Sequence, residues 1–398
     1  MDNTELKAKF KQGSLPSEQD YADLIDSIPP SLSSYESYAL DDDYDIQGGI
    51  VDKGTLTTFK SKIPKTTFNL LFQTDIHYEL YSNWKPKMNT GLRHVLNSMY
   101  LQDSVNAIVF NGDNINNGGG YEDKKKALKL IEDFTTTVWS LSNRVTPVFI
   151  NKGNHDNNYR DHTVWNKDNW KTPIGESISN AEFVKYYRYT SSFNENRLSS
   201  SSYFYKDFDD YNIRLIGLDS YDLPETSADD KYYDFDGRAN SIFSIEQVKW
   251  LSQVLNTDKH VVITTHNPIN HTLGDWDNAT MLNHDLVKGL LEAFIQGGSG
   301  SIKGSSGEVE YSFSHKGVIA GVFTGHLHND SMKLLNGINY IQTTCSAVYA
   351  DFSDGHADRA DFYDTYKEDV FDLIEIDTNK REVDIKRWGY GEDREYMY

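Results

Sequence analysis

Short apolar runs alternate with polar, helix-like stretches along most of the chain, from about residue 66 onward. Five of these runs are typical of buried strands: Phe68–Thr74, Ala107–Phe110, Pro147–Ile150, Val261–Thr265 and Val318–Phe323. Helix-like periodicity fills the gaps between the first three runs, at Thr90–Leu101 and 122–142. Because strands that alternate with helices build parallel sheets covered by helices, this pattern predicts an α/β architecture.

The later part of the chain adds strands that have no helix between them. The dipeptide Asn336-Gly337 between two apolar runs predicts a tight hairpin, and residues 371–376 and 382–388 predict a final pair of strands. The glycine- and serine-rich stretch Gly297–Gly307 predicts a flexible loop by its composition. The two patterns together predict a layered α/β (α+β) sandwich.

Residues 1–60 differ from the rest of the chain and predict a separate N-terminal segment, which leaves 61–398 as the main domain. Apolar residues recur at helical spacing up to Pro29-Pro30, where a helix must end. The stretch 31–49 is rich in Ser, Tyr and Asp and predicts a tether. Two interpretations stay open: the helix packs on its own main domain, or it docks on another protein.

The overall charge narrows the function classes. The 398 residues carry a formal net charge of −21, and because Lys and Arg hold nucleic-acid backbones, this excess of acids disfavours nucleic-acid binding. The sequence has no apolar run long enough to span a membrane, and its first residues lack the apolar core of a signal peptide. Residues 1–60 contribute −7 and residues 351–398 contribute −8. The middle of the chain is therefore only mildly acidic, which leaves an anionic substrate open.

Polar side chains of a particular kind follow all five strand-like runs. In chain order they are Asp75-Ile76-His77, Gly112-Asp113-Asn114, Gly153-Asn154-His155-Asp156, His266-Asn267-Pro268 and Gly325-His326-Leu327-His328. Each motif alone is common in ordinary turns. Open α/β sheets bind ligands at the carboxyl ends of their strands, so five such motifs in order predict one shared site.

The mixture of side chains in these motifs indicates metal chemistry. Carboxylates, imidazoles and a carboxamide are the ligands that two neighbouring divalent cations share in proteins. Two cations about 3.5–4 Å apart clamp the attacking and leaving oxygens of a phosphoryl displacement and lower the pKa of a shared water. The motifs therefore predict a dinuclear metal site.

The order and content of these motifs resemble those of the calcineurin-like metallophosphoesterase family, over roughly residues 66–350. The resemblance implies a four-layer α/β/β/α sandwich, to which this chain adds a small helical N-terminal extension. It also implies two divalent metal ions at the strand ends. Mixed nitrogen and oxygen ligands suit Mn, Fe or Zn, and the sequence does not choose among them.

The resemblance also implies a role for each motif residue. The first metal would be bound by Asp75, His77 and His328, the second by Asn154, His266 and His326, and Asp113 would bridge the two. His155 would contact the phosphate and protonate the leaving oxygen. Asp156 would orient the His155 imidazole.

Two further residues are candidate substrate contacts. Arg160 follows the His155 motif and offers a guanidinium for phosphate, and Asn114 lies beside Asp113. The segments between the motifs are rich in Tyr and Trp, which suit sugars, nucleobases or glycerol-like chains but equally serve ordinary core packing.

The N-terminal segment carries a second resemblance, over about 25 residues. Residues from Leu6 to Ser27 resemble the start of tail-fibre and baseplate-associated proteins of phages that infect Gram-positive bacteria. This implies a virion (tail) location, docking on a tail or baseplate protein through residues 1–30, and a host cell-wall teichoic acid as substrate. Without the phage setting, the sequence predicts a cytoplasmic protein.

The leading functional prediction is a phosphodiesterase that uses a metal-activated hydroxide. A phosphomonoesterase or nucleotidase is the alternative enzyme, and a phosphate-binding virion adhesin without turnover is the alternative outside enzymes. The intact ligand set favours an enzyme, because a binding module has no need of His155. A nuclease ranks last, since the sequence contains no evident basic stripe.

Overall fold

The structure of the protein is a computed structural model. It describes residues 50–79, 90–116, 124–160, 171–187, 193–222, 224–228, 231–234, 237, 240–269, 272–273, 281–304, 306–347 and 359–398. These residues belong to one compact unit that spans Ile46–Tyr398. The predicted N-terminal helix and tether lie outside the described residues, so the docking segment and the domain boundary at residue 60 stay predictions.

Helices and strands alternate through most of the described residues. The helices are α1 (Lys53–Ser61), α2 (Gly91–Tyr100), α3 (Lys124–Leu141), α4 (Asn180–Tyr187), α5 (Ile245–Val254) and α6 (His284–Gln296). The first eight strands are β1 (Phe68–Gln73), β2 (Ala107–Asn111), β3 (Val148–Asn151), β4 (Phe204–Phe208), β5 (Ile213–Leu218), β6 (Ser241–Ile242), β7 (His260–Thr265) and β8 (Met281–Leu282). The others are β9 (Gly298–Gly304), β10 (Gly307–Phe313), β11 (Val318–Thr324), β12 (Ser331–Leu335), β13 (Ile338–Gln342), β14 (Val370–Asp377), β15 (Glu382–Gly389) and β16 (Arg394–Met397).

Two six-stranded sheets form the centre of the fold. Sheet 1 has the strand order β16-β15-β14-β1-β2-β3, and sheet 2 has the order β12-β13-β11-β7-β5-β4. The strands β1, β2 and β3 run parallel, as do β5, β7, β11 and β13, while the outer strands join antiparallel. The carboxyl ends of the parallel strands therefore lie at one edge of each sheet.

Aromatic side chains fill the space between the two sheets. Phe72 of β1 meets Phe323 of β11, with ring centroids 6.1 Å apart, and Phe149 of β3 stacks on Phe204 of β4 at 4.2 Å. Burial of such rings is the largest stabilising contribution that a side chain makes to a core.

Helices cover the outer faces of the sandwich. On sheet 1, Ser98 of α2 donates to Gln73 of β1, and Phe134 of α3 packs on Phe110 of β2. On sheet 2, α5 and α6 share one apolar cluster with β7, β11 and β13. The predicted four-layer α/β/β/α sandwich is confirmed. Among the described residues, no helix is both long and apolar enough to cross a membrane.

Local sequence signals also predicted turns correctly. Asn336 and Gly337 join β12 to β13 with φ of +50° and +83°, the left-handed backbone that a two-residue hairpin turn requires. The final strand pair is confirmed as β14 and β15, to which β16 is added.

The prediction of a flexible loop at Gly297–Gly307 was wrong, because this stretch forms most of the hairpin β9–β10. One face of the hairpin carries Ile302, Val309 and Phe313, which pack against the apolar cluster under α5 and α6. Composition missed the hairpin because its other face is exposed and consists of Ser, Lys and Glu, while glycines stand between the apolar residues on the packed face.

Candidate metal centre

The strand ends bring the seven predicted metal ligands to one place. Asp75 and His77 follow β1, Asp113 follows β2, Asn154 follows β3, His266 follows β7, and His326 and His328 follow β11. We call these seven residues the ligand cluster. Its carboxylate and imidazole atoms form two groups, each with all atoms within 4.8 Å of one another: Asp75, His77, Asp113 and His328, and Asp113, His266 and His326. Asp113 belongs to both groups, as a bridging ligand would.

The backbone of the ligand cluster is strained. Five of its residues have φ between +48° and +73°, namely Asp75, His77, Asp113, His326 and His328. Left-handed backbone outside glycine costs of the order of 1–3 kcal/mol for each residue and persists where the surroundings impose it. Backbone hydrogen bonds do so here: Asp75 donates to the carbonyl of Gly112, and His77 donates to that of Asp113.

Glycines in two of the motifs permit this close packing. A Cβ on Gly153 would collide with the carboxylate and backbone of Asp113, and a Cβ on Gly325 would collide with Thr74 and Asp75. The motif glycines therefore let two loops approach the bridging and first carboxylates without a side chain between them.

Electron-rich atoms face one another in the first group. The Nε2 atoms of His77 and His328 lie 3.0 Å apart, and the Nε2 of His328 lies 3.2 Å from Oδ1 of Asp75. That oxygen is fully buried and accepts no well-aligned hydrogen bond from any described residue. Buried acceptors without donors are costly unless a cation lies among them, so this group fits a bound metal ion.

The second group has the same character. The Nδ1 of His266 lies 2.8 Å from the carbonyl of Asn111, so a proton on Nδ1 leaves the Nε2 lone pair facing Asp113 Oδ2 at 3.3 Å. The Asn154 amide places one terminal atom 3.2 Å from His326 Nδ1 and 3.2–3.3 Å from both Asp113 oxygens. As nitrogen that atom donates to the carboxylate; as oxygen it faces three acceptors and is stable only beside a cation.

The charges of the ligand cluster suit metal binding. Burial alone would raise the pKa of Asp75, but the charge of His266 and the imidazole of His328 hold it well below its usual range. The pKa of Asp113 is likewise held well below its usual range by neighbouring histidines, against the effect of burial. Burial and the charge of His266 lower the pKa of His326 to about 3. Ionised carboxylates and a neutral imidazole are the forms that bind metals.

His266 shows what the cluster does without metal. Burial opposes its ionisation, yet the carboxylates of Asp113 and Asp75 raise the pKa of His266 to about 9. The two buried anions thus hold a proton on an imidazole between them. A metal ion would take the place of that proton.

The family of the chain follows from the sequence of the residues that form the two sheets and their loops. The family model described as Calcineurin-like phosphoesterase matches residues 68–330, more than half of the chain. The chain belongs to the calcineurin-like phosphoesterase family. It is a metal-dependent phosphoester hydrolase of that family, and its ligand cluster is the candidate metal centre. No curated protein matches the chain significantly in sequence.

Solved structures of similar fold include a dimetal phosphatase from Danio rerio. It is 15% identical to this phosphoesterase over 84% of the chain and 99% of its own, with a TM-score of 0.54, and it shows the shared fold. GAP50, the anchor in the inner membrane complex of Plasmodium, is 12% identical and covers 81% of this chain and 84% of its own, with a TM-score of 0.41. A putative 5′-nucleotidase from Staphylococcus aureus is 12% identical over 81% of this chain and 53% of its own, with a TM-score of 0.37.

The predicted acid of the phosphoesterase, His155, lies beside the bridging carboxylate. Its Nε2 is 3.7 Å from Asp113 Oδ2, and its Nδ1 is 2.8 Å from the backbone carbonyl of Asn116. The side chain is 16% exposed, whereas those of His77 and His266 are fully buried. A proton on Nδ1 is therefore held by Asn116, and Nε2 is left to exchange a proton with a substrate.

The contacts of Asp156 correct one prediction. Its carboxylate does not contact the His155 ring; it accepts hydrogen bonds from the backbone amide of Gly153, from Asn114 and from the hydroxyl of Tyr187. Burial and the charge of Asp113 raise the pKa of Asp156 to about 7. Asp156 thus fastens the loops that carry Asp113 and Asn154, and Asn116 orients His155.

The two predicted substrate contacts lie in different surroundings. Asn114 is fully buried, and its amide nitrogen donates to Asp156 and to the carbonyl of Asn151. These contacts favour a role in holding Asp156. Arg160 is partly exposed and donates through its guanidinium to the carbonyl of Lys171. Its phosphate contact stays a prediction.

Sequence reasoning missed Asn116 and Tyr187. Asn116 contacts two of the motif histidines, and Tyr187, from α4, donates to the buried Asp156. Asn116 lies two residues beyond the motif that ends at Asn114, and Tyr187 lies about thirty residues beyond the motif that ends at Asp156. No spacing rule therefore identifies either residue. Only the folded contacts identify them.

Proposed function

We propose that the chain is a phosphodiesterase that uses two divalent cations. The observation that carries this proposal is the convergence of six carboxylate and imidazole ligands into two groups that share the buried Asp113, with the Asn154 amide beside the second group. When bound, two such cations would activate water and neutralise charge on the phosphoryl oxygens. Asp75, His77 and His328 would hold the first cation, and Asn154, His266 and His326 the second, with Asp113 between them.

The remaining residues would act on the proton and on geometry. His155 would donate from Nε2 to the leaving oxygen, since its Nδ1 is engaged by Asn116. The positive-φ loops would keep the ligands fixed, so that little reorganisation is needed when substrate binds.

A diester is favoured over a monoester by the charge around the site. Within the described ranges, the side chains that hydrogen-bond to the ligand cluster include no Lys or Arg, and Lys152, next to the Asn154 motif, is paired with Asp219 at 2.9 Å. A monoester dianion needs more positive charge than a diester monoanion does. Cations alone would compensate the single charge of a diester.

The test is a substrate panel on metal-stripped protein with Mn²⁺ added back. Aryl monoesters, aryl diesters, nucleotides and nucleic acid would each be assayed with the wild type, Asp113→Asn and the control Asp207→Asn. Asp207 is a carboxylate on β4 that pairs with Arg214, away from the ligand cluster. The expected result is diester turnover above monoester turnover, absent in Asp113→Asn and unchanged in Asp207→Asn. Higher monoester turnover would replace the phosphodiesterase by a phosphomonoesterase.

We further propose that the natural substrate is a cell-wall teichoic acid and that residues 1–30 dock on a phage tail or baseplate protein. The N-terminal resemblance supports both statements. Purified teichoic acid added to the panel tests the substrate: release of glycerol phosphate or similar products supports it. No release, with aryl diester turnover intact, would reject teichoic acid and leave the phosphodiesterase standing.

A further inference from the structure

Asn116 lies between two histidines of the candidate site. Its side-chain Oδ1 is 3.3 Å from Nδ1 of His77, and its backbone carbonyl is 2.8 Å from Nδ1 of His155. The two imidazole rings meet edge to face, with centroids 4.4 Å apart. One residue thus contacts a proposed metal ligand and the proposed acid at the same time.

A carboxylate fixes the orientation of this asparagine. The amide nitrogen of Asn116 donates to Oε2 of Glu79 at 2.7 Å. A carboxylate only accepts hydrogen bonds, so Glu79 draws the nitrogen of the amide to its side and turns the oxygen of the amide toward His77.

The backbone keeps Glu79 and Asn116 side by side. Beyond the ends of β1 and β2 the two loops continue to pair: His77 donates to the carbonyl of Asp113, Tyr78 to that of Asn114, and Asn116 to that of Tyr78. This short ladder extends the parallel pairing of sheet 1 into the site. The contact between the two side chains therefore follows from the fold of the loops.

We propose that Glu79 and Asn116 form a positioning pair that sets the tautomer of His77, and that the Asn116 carbonyl sets that of His155. This rests on the proposed two-cation function. With the Asn116 oxygen facing it, Nδ1 of His77 carries the proton, so Nε2 presents a lone pair toward Asp75 and Asp113, both 3.6 Å away. In the opposite tautomer an N–H would occupy the place of the metal.

The pair should therefore raise the affinity of one metal ion. Residues that hydrogen-bond to metal ligands typically change affinity by about 10–100-fold when they are replaced. Glu79→Gln keeps the size of the side chain but can donate to Asn116. The asparagine can then turn over and present its NH₂ group to His77, which favours the wrong tautomer.

The first experiment measures metal binding on the full chain after chelator treatment. Mn²⁺ titration by calorimetry should show one of two sites weakened about 10–100-fold in Glu79→Gln. Glu79→Asp, which keeps the carboxylate, should recover part of the loss. The matched control is Glu292→Gln, because Glu292 makes the same kind of contact, 2.8 Å from the amide nitrogen of Asn336, at a distant hairpin. Unchanged affinities at both sites of Glu79→Gln would overturn the proposal.

The second experiment reads the tautomer directly and needs no metal. ¹⁵N NMR of histidine-labelled, metal-free protein should show the Nδ1–H form of His77 in the wild type and the Nε2–H form in Glu79→Gln, with His77→Gln as the assignment standard. An Nε2–H form in the wild type would reject the pair even if the variant does not fold. Absence of Mn²⁺ binding by the wild type would instead reject the proposed function. The two failures can be told apart, because the tautomer is measured on metal-free protein.

Discussion

Two buried clusters of histidine and carboxylate lie close to the carboxyl end of β1, and the charges in them are compensated in opposite ways. The ligand cluster begins at Asp75. The other cluster, which we call the paired cluster, contacts Gln73 and consists of Arg93, His94, Ser346, Glu368 and Asp369. The carboxylates of both clusters are almost completely buried. The burial cost is therefore similar, and the difference lies in what compensates the charge.

In the paired cluster the protein supplies every partner. Glu368 accepts from the guanidinium of Arg93 and lies 3.2 Å from Nε2 of His94. The other ring nitrogen of His94 is 3.1 Å from the hydroxyl of Ser346, which also donates to Asp369. Each anion meets a cation or a donor, which is how buried charge is normally tolerated.

In the ligand cluster backbone amides donate to one oxygen of Asp75 and one of Asp113, but other lone pairs face one another. Oδ1 of Asp75 has imidazole nitrogens around it without a well-aligned donor, and two Nε2 atoms approach within 3.0 Å. The comparison teaches that histidine and carboxylate together do not define a metal site. The number of unsatisfied lone pairs does, and only the ligand cluster needs a cation from solution.

Removal of metal should have the largest effect, and only through the ligand cluster. EDTA is expected to abolish turnover, a loss beyond the ~10²–10³-fold that deletion of one transition-state hydrogen-bond donor causes. Added Mn²⁺ at 100 times its dissociation constant should stabilise the fold by about 2.7 kcal/mol. Activity assays and thermal unfolding with and without Mn²⁺ measure both, and Asp113→Asn serves as the variant that should not respond. Turnover that persists in chelator would contradict the assignment.

Substitution in the paired cluster should act on stability alone. Glu368→Gln removes the buried counter-charge of Arg93, whose guanidinium keeps an ion pair with the exposed Asp364 at 2.9 Å. The loss of stability should therefore be at most the ~3–5 kcal/mol that a broken buried ion pair typically costs. Urea unfolding measures the loss, and calorimetry should still find two Mn²⁺ ions per chain. Glu382→Gln, at a more exposed carboxylate on β15, is the control and should change stability by less than about 0.5 kcal/mol. A changed metal stoichiometry in Glu368→Gln would show that the two clusters are not independent.

Acid should reveal the same carboxylate. Burial would raise the pKa of Glu368, but the hydrogen bond and charge of His94, together with Arg93, lower it from 4.5 to about 2. The folded pKa lies below the unfolded one, so this contribution is complete above pH 4.5 and is lost as the pH falls toward 2. The free energies of unfolding of the metal-free wild type and of Glu368→Gln should therefore converge as the pH falls from 4.5 to 2. A constant difference in stability down to pH 2 would exclude a shifted carboxylate.

The sequence was sufficient for one of these clusters and not for the other. The metal ligands follow strands, and the rule that parallel strands gather their carboxyl ends needs only the strand pattern. The paired cluster has no such rule: Arg93 and Glu368 are 275 residues apart and meet because β14 joins β1 antiparallel. No local sequence pattern predicts the contact between Arg93 and Glu368. The same reason hid Asn116 and Tyr187, whose roles depend on contacts between loops.

Local patterns were reliable where local physics decides the outcome. The left-handed turn at Asn336 and Gly337 was predictable because few residues accept that backbone. The hairpin β9–β10 was not, because its stability comes from three apolar side chains packed on α6 and α5, while its composition is that of a loop. The partner of the His155 ring was not predictable for a related reason. The ring nitrogen Nδ1 lies against the backbone carbonyl of Asn116, and the predicted partner was the carboxylate of Asp156.

The smallest expected effect concerns a third cluster, which is paired but supports the ligand cluster. Arg387 of β15 donates to both oxygens of Asp330 at 2.6 and 2.8 Å and to Asp372 at 2.8 Å. Asp330 also accepts from the backbone of Thr344, whose hydroxyl donates to the carbonyl of His328 at 2.7 Å. The C-terminal strands thereby hold the loop on which His328 adopts its strained backbone.

Asp330→Asn should loosen that loop and lower the affinity of one Mn²⁺ ion by about 10-fold, the low end for a residue that acts behind a ligand. Calorimetry measures the affinity. The control is Asp384→Asn, on the same strand as Arg387, because the carboxylate of Asp384 faces Lys386 near the surface. The effect should fall on the ion bound by His328 and leave the other unchanged. An equal loss of affinity for both ions would contradict this. It would mean that Asp330 stabilises the whole sandwich and affects the metal site only through global stability.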